Sequence, residues 1–401
     1  MNRLLTALAC LALSSVALAG DLNPPSGAVA PTMKTLDQVE ARIPIGPLTT
    51  PGDSDSVYKI TQPGSYYLTG NLIGEAGKYG IEVIASNVSI DLNGYSLLGV
   101  PGALYGITDR RTDEFENIRN LAVSNGSISD FPQGGIVMEY CSTARFSDLT
   151  IRGGQYGIYQ RTAMIVENCV VSNVTSIGIF AEYSSTITRA LVANAPVGIQ
   201  TFGSAVIDST TRSCATGFDA YESTLDNCIA MGGTTGVKLG LRSRLVNSRI
   251  TNNSTGVLVE EAYAELRDCS ISSSSSTGVS VLGINNRIVG NSIIASRNIA
   301  GNYGVAISVD AASAGNVIEA NTGTGNYFGL VVNGTNNVIT RNAFGATVGL
   351  GSQVQYQIAA GNRFGSLVKA NTNGVQTSVS GGSSTVAGTM STTDPNANIF
   401  W

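Results

Sequence analysis

Histidine is absent from the whole of the 401-residue sequence. Without an imidazole the chain cannot run a Ser-His-Asp triad, offer a histidine base near neutral pH or hold a metal through histidine, so functions of that kind are excluded. Charge is scarce as well. Asp, Glu, Lys and Arg make up 13% of the chain, about half the usual share. The net charge is −5 and there is no basic run, which argues against nucleic acid or an anionic membrane surface as a partner. Of the six cysteines, Cys10 lies in an apolar leader, and the remaining five, Cys141, Cys169, Cys214, Cys228 and Cys269, are an odd number. That excludes a complete disulfide framework. Cys169, Cys228 and Cys269 each follow an Asn or Asp, so buried, unpaired thiols at one point of a repeat are expected. Gly, Ser, Thr and Asn are what the chain has in quantity, a mixture suited to short strands and tight turns.

Those glycines are ordered. A glycine followed by a large apolar residue returns at Gly80, Gly106, Gly135, Gly157, Gly178, Gly198, Gly217, Gly236, Gly256, Gly278, Gly304 and Gly329. The interval is 19 to 22 residues in the middle of the chain and 25 to 29 toward its ends, the period of a stacked solenoid coil. Within a coil, three short alternating segments are separated by Asn or Gly, as in Gly157–Arg161, Ala163–Asn168 and Cys169–Asn173. This predicts three strands and three bends per coil. Asn168, Asn227, Asn247, Asn291, Asn321 and Asn342, with Asp148 and Asp268 substituting, recur at one bend. Stacked amides there would bond from coil to coil, and Asn tolerates the left-handed backbone that such a bend needs; ligand binding is the alternative role.

The flanks differ. Residues 1–19 have the form of a secretory signal peptide, with Arg3 before an apolar run and Ala17-Leu18-Ala19 at its end. Residues 20–56 are a Pro-rich leader holding one short capping helix, predicted from the capping box at Thr35–Gln38 and the stripe Leu36, Val39 and Ile43. The solenoid is expected over 57–346, in about twelve coils. Residues 347–401 then read as an irregular strand or tail on the last coils, Ser/Gly/Thr-rich from Ser378 to Thr393 and closed by Ile399, Phe400 and Trp401. No run of barrel strands precedes that ending, so docking is expected rather than membrane insertion.

The glycine-apolar anchor, the recurrent Asn and a coil near 22 residues resemble the right-handed parallel β-helix proteins of the pectate-lyase-like superfamily, over roughly residues 57 to 346. The resemblance implies an all-β, right-handed parallel β-helix. The repeat is also found in carbohydrate-binding and sugar-hydrolase modules, and the signal peptide makes a secreted, periplasmic or cell-surface location the expectation. The resemblance leaves activity open, because many sugar chemistries and some non-enzymatic proteins share this repeat. The histidine-bearing motifs of galacturonases and alginate epimerases cannot occur here, and no clear pectate-lyase Asp cluster is present.

Strand alternation narrows the search for a site. The first and third residues after each anchor glycine should point inward and the second and fourth outward. The outward set includes Glu139, Tyr159, Arg161, Phe180, Glu182, Gln200, Phe202, Asp219, Tyr221, Lys238 and Glu260, with Glu222 next to Tyr221. Aromatic rings on four successive coils, flanked by charge, suit an extended sugar chain, with Tyr159, Phe180, Gln200, Phe202, Tyr221, Glu222 and Glu260 as binding residues. Rings that stack only on each other are the alternative. Two catalytic schemes fit the residue types. In a hydrolase, Glu139 and Glu182 would be the carboxylate pair, about 9 to 10 Å apart on alternate coils. In a lyase, Arg161 or Lys238 would take a proton while Glu182, Asp219 or Glu222 held calcium; otherwise no metal or cofactor is expected. The rival to a glycan protein is a non-catalytic surface or adhesin-like solenoid. The sequence leaves the oligomeric state open.

Overall fold

The computed structural model describes residues 42–109, 118–296, 304–345, 353–369, 375–379, 385–387 and 393–401, all within the unit Arg42–Trp401. The signal peptide and most of the leader with its helix lie outside the described residues, as does most of the charged run at residues 109–114, whose composition reads as an excursion loop between two anchors. Ile43, assigned above to the helical stripe, is a strand residue: Ile43–Pro44 pairs in parallel with Tyr66 and Tyr67. There is no helix among the described residues.

Most coils contribute three strands, as in Tyr156–Gln160, Met164–Glu167 and Val170–Ser172, while in two early coils the second and third run together as Leu121–Ser129 and Ala144–Arg152. The strands at the anchor glycines, with their equivalents in coils that lack an anchor, form a 15-stranded sheet, and the remaining strands form a 29-stranded sheet. Strand pairing is parallel from coil to coil, with identical positions opposed: Ile158 faces Ile179, Ile199 and then Phe218 in turn. Fifteen strands make about fourteen turns, more than the twelve expected. The additional strands are Ser56–Ile60 and Gln353–Ile358, whose coils lack the glycine-apolar anchor, and Val375–Val379, which follows a Gly374-Val375 pair that the count left out.

The core follows from alternation. Ile158, Ile179, Ile199, Phe218, Val237 and Val257 are almost fully buried, as are the third-position residues Met138, Gln160, Leu239 and Val259. Burying one such aliphatic side chain is worth about 1.5–3 kcal/mol, and the stack repeats that gain coil after coil. Glycine before the first inward residue is a matter of space. A Cβ on Gly157 would lie 2.3 Å from Val171 and 2.5 Å from the carbonyl oxygen of Gly178.

Most bends have a residue in the left-handed region, for example Ser184, Arg189 and Asn194 in one coil and Arg242, Asn247 and Asn252 in another. The asparagines assigned to one bend column divide into two. Asp148, Asn168, Asn227, Asn247 and Asp268 take positive φ at the bend, and Asn168 Nδ2 donates to Asp148 Oδ1 at 3.1 Å. Asn291, Asn321 and Asn342 sit one position later and are fully buried. Asn291 donates to Asn321 and Asn321 to Asn342, so these amides satisfy one another where water is excluded. Cys169, Cys228 and Cys269 occupy that same inward column. All five described thiols are free and buried, and burial pushes Cys228 and Cys269 up to about 12, which leaves them unreactive.

Candidate functional site

The outward positions of the 15-stranded sheet form two parallel columns. Second positions run Val137, Tyr159, Phe180, Gln200, Asp219, Lys238 and Leu258 by direct register. Fourth positions run Glu139, Arg161, Glu182, Phe202, Tyr221, Gly240 and Glu260. The structure therefore brings all the candidate residues to one face, with Glu222 at its edge.

The rings make a continuous ribbon that shifts from one column to the other. Tyr159 stacks on Phe180 with centroids 4.6 Å apart and planes 10° from parallel. Phe180 meets Phe202 at 6.0 Å, and Phe202 meets Tyr221 at 5.6 Å. Tyr156, the residue before the anchor glycine, extends the ribbon with a 5.0 Å contact to Tyr159. Each such pair adds about 0.5–1.5 kcal/mol beyond burial. Phe180, at 8% exposed, is a rib held between its neighbours, whereas Tyr159, Phe202 and Tyr221 keep part of their surface in solvent. Tyr221 leans over Gly240, where a Cβ would lie 2.9 Å from its ring.

Sequence reasoning passed over Tyr156, Tyr183 and Tyr263. Tyr156 belongs to a column occupied two and three coils earlier by Tyr105 and Tyr79, which stack at 5.7 Å; that periodicity was readable. Tyr183 and Tyr263 are 63% and 59% exposed at the bend beyond the fourth position, and the Tyr183 ring lies against Gly203. Nothing about their spacing distinguishes them from other bend residues.

The charged groups are mostly engaged. Arg161 Nε donates to the Tyr159 hydroxyl at 3.0 Å, and its rung lies between those of Glu139 and Glu182 by the pairing of Gln160 with Met138 and Ala181. The Tyr159 hydroxyl foremost, and then Glu182 and Glu139, raise the Arg161 pKa further. Lys238 Nζ is 2.7 Å from Glu260 Oε2, a pairing that raises the lysine pKa. Gln200 Nε2 donates to Asp219 Oδ2 at 3.1 Å; burial raises the Asp219 pKa while Lys238 and Gln200 oppose it. Arg242 pairs with Glu222 at 3.1 Å.

This arrangement fits neither catalytic scheme well. A base must shed its proton near neutral pH, and both Arg161 and Lys238 are shifted the other way. Glu139 and Glu182 have the Arg161 rung between them, where a hydrolase would need sugar and water. Glu182, Asp219 and Glu222 do not converge: among the described residues, the group of carboxylates close enough to share a cation is Asp53, Asp55 and Glu82. Those belong to the first coils, and Lys59 already pairs there with Asp53 at 2.7 Å and Glu82 at 2.9 Å.

Residues 59–215 and 227–389 match the family model described as the right handed beta helix region. The chain belongs to that family. A search of curated proteins gave no match. Among solved structures, this β-helix is similar to a double mutant of the tailspike protein of E. coli bacteriophage HK620, at 14% identity and a TM-score of 0.49, covering 84% of this chain and 72% of that one. It is also similar to the A-module of the Azotobacter vinelandii mannuronan C-5 epimerase AlgE6, at 13% identity and a TM-score of 0.43, covering 84% of this chain and 89% of that one. The β-helix assignment itself rests on the family match and on the strand register.

Proposed function

We propose that the protein is an exported β-helix that binds a polysaccharide along the face from Tyr156 to Glu260. The observation that carries this reading is the ring ribbon Tyr156, Tyr159, Phe180, Phe202 and Tyr221, laid across successive coils beside Gln200, Asp219 and Arg161. Partly exposed rings offer flat apolar surface to sugar rings, and the polar groups alongside supply donors and acceptors for hydroxyls. Cleavage is left out of the reading, because the basic groups are held protonated by their partners and the carboxylate pair is interrupted by Arg161.

A second reading treats the ribbon as structural, with the rings shielding the sheet and stacking on each other. The near-parallel Tyr159 and Phe180 pair and the burial of Phe180 favour it. Affinity electrophoresis through gels containing different polysaccharides separates the two. Binding predicts at least a tenfold loss of retention for Tyr159→Ala and Tyr221→Ala, with little change in melting temperature, while Phe180→Ala loses stability. If no polysaccharide retains the wild-type chain and all three variants lower its melting temperature, the glycan reading is wrong and the structural one stands.

A further inference from the structure

The face has more carboxylates than cations. Glu139, Glu182, Asp219, Glu222 and Glu260 stand against Arg161, Lys238 and Arg242, five against three. The cations are also committed. Lys238 is bound to Glu260 and Arg242 to Glu222. Arg161 hydrogen-bonds Tyr159 and has a carboxylate rung on each side. Glu261, at the bend beyond Glu260, adds its charge to the surroundings of Lys238.

A uronate chain carries a carboxylate on each sugar. On this face it would meet a net negative surface and, among the described residues, no cation without a partner. To form an ion pair it would have to displace Glu260 or Glu222, or approach Arg161 between the two glutamates that flank its rung, and at low ionic strength the like charges repel. An uncharged sugar chain meets neither obstacle. Its apolar ring faces fit Tyr159, Phe202 and Tyr221, and its hydroxyls can donate to the same carboxylates that repel an acid.

We infer that this face takes a neutral pyranose polymer and discriminates against uronates, with Glu139 and Glu182 as the discriminating residues. The inference rests on the glycan-binding reading above. It makes these carboxylates specificity determinants, the opposite of the calcium-holding or proton-transferring roles that the sequence suggested.

The test is affinity electrophoresis of the wild-type chain at low ionic strength, through gels containing neutral polymers (galactomannan, xyloglucan, β-glucan, dextran) or uronates (polygalacturonate, alginate, each with and without calcium). At least one neutral polymer should retard the protein and neither uronate should. The Glu139→Gln, Glu182→Gln double variant removes the two negative charges that flank Arg161, so uronate retardation should appear in it and fade as salt is added. Retardation of the wild type by a uronate overturns the inference and leaves the glycan reading intact. A folded double variant that gains no uronate binding removes Glu139 and Glu182 as discriminators and overturns it too. Absence of retardation by every polymer, neutral or acidic, removes the glycan reading and this inference together.

Discussion

Asp109 occupies the third position after its glycine, an inward site that neighbouring coils fill with Val83 and Met138. The carboxylate is tolerated because the next coil turns backbone donors toward it: the amides of Glu139 and Tyr140 reach its two oxygens at 2.8 Å each. Burial pushes its pKa up to about 6, against the pull of those amides. The folded chain holds this proton more tightly than the unfolded chain, where the pKa is near 3.8. The contribution of Asp109 to stability is therefore greatest below pH about 4 and falls as the pH rises to about 6, by roughly 2–3 kcal/mol. In urea denaturation, the wild-type curve should show this loss across that pH window and Asp109→Asn should not; parallel pH dependences would contradict the assignment. In the sequence Asp109 opens the charged run Asp109-Arg110-Arg111-Thr112-Asp113-Glu114, which by residue type alone reads as a surface loop. Counting from Gly106 would have placed it inside, since the repeat specifies direction wherever it continues and chemical type does not.

Among the elements, regular strands were legible and the strand that breaks the order was not. Inward sites follow from a period of two once the glycine is fixed; the exception is Gly304, where Val305, expected inward, pairs with Thr277 and Ile307 takes the place of Val279. Asn398–Phe400 follows no anchor. It pairs with Ala343 and Phe344 on one side and with Leu367 to Lys369 on the other, so the tail enters the stack as a strand between two coils. Asn398 Oδ1 accepts from Asn342 and ends the buried amide column, and Tyr356 donates to the carbonyl oxygens of Asn342 and Ile399. Phe400 is buried against Tyr356, whose ring also meets Phe344. Apolar character alone showed that this tail docks; its register depends on amides and rings that are far away in sequence. Removing the Phe400 ring should cost about 3–5 kcal/mol. In a quasi-one-dimensional stack that loss stays local. Hydrogen exchange of Phe400→Ala should accelerate at Phe328–Val332 and Gln353–Ile358 while Tyr156–Gln160 and Thr255–Val259 keep wild-type protection. Uniform acceleration along the chain would show that the stack unfolds as one unit and would refute this account.

At the scale of the whole molecule, each coil meets only its two neighbours, so the length of the stack is adjustable in units of one coil and in no smaller unit. The interval from Gly236 to Gly256 offers a clean test. Deleting residues 236–255 joins Thr235 to Gly256 in the setting of Thr255, its own register partner. Phe218 then faces Val257, Leu225 faces Leu266 and Ala230 faces Ile271, apolar against apolar at every inward position. The left-handed bends also come into line, Glu222 with Tyr263, Asn227 with Asp268 and Gly232 with Ser273. The shortened chain should keep its β-sheet circular dichroism and a cooperative thermal transition, and the ribbon from Tyr156 to Tyr221 should keep its glycan retention. Deleting residues 236–245 removes the same glycine but only half a coil. It sets the inward side chains of one sheet against the bends of the next coil, and that chain should not fold. Equal behaviour of the two deletions would mean that something other than coil-to-coil register holds the molecule together. Loss of glycan retention in the well-folded one-coil deletion would place Lys238 or Arg242, the two binding-face charges within it, among the groups that the sugar requires.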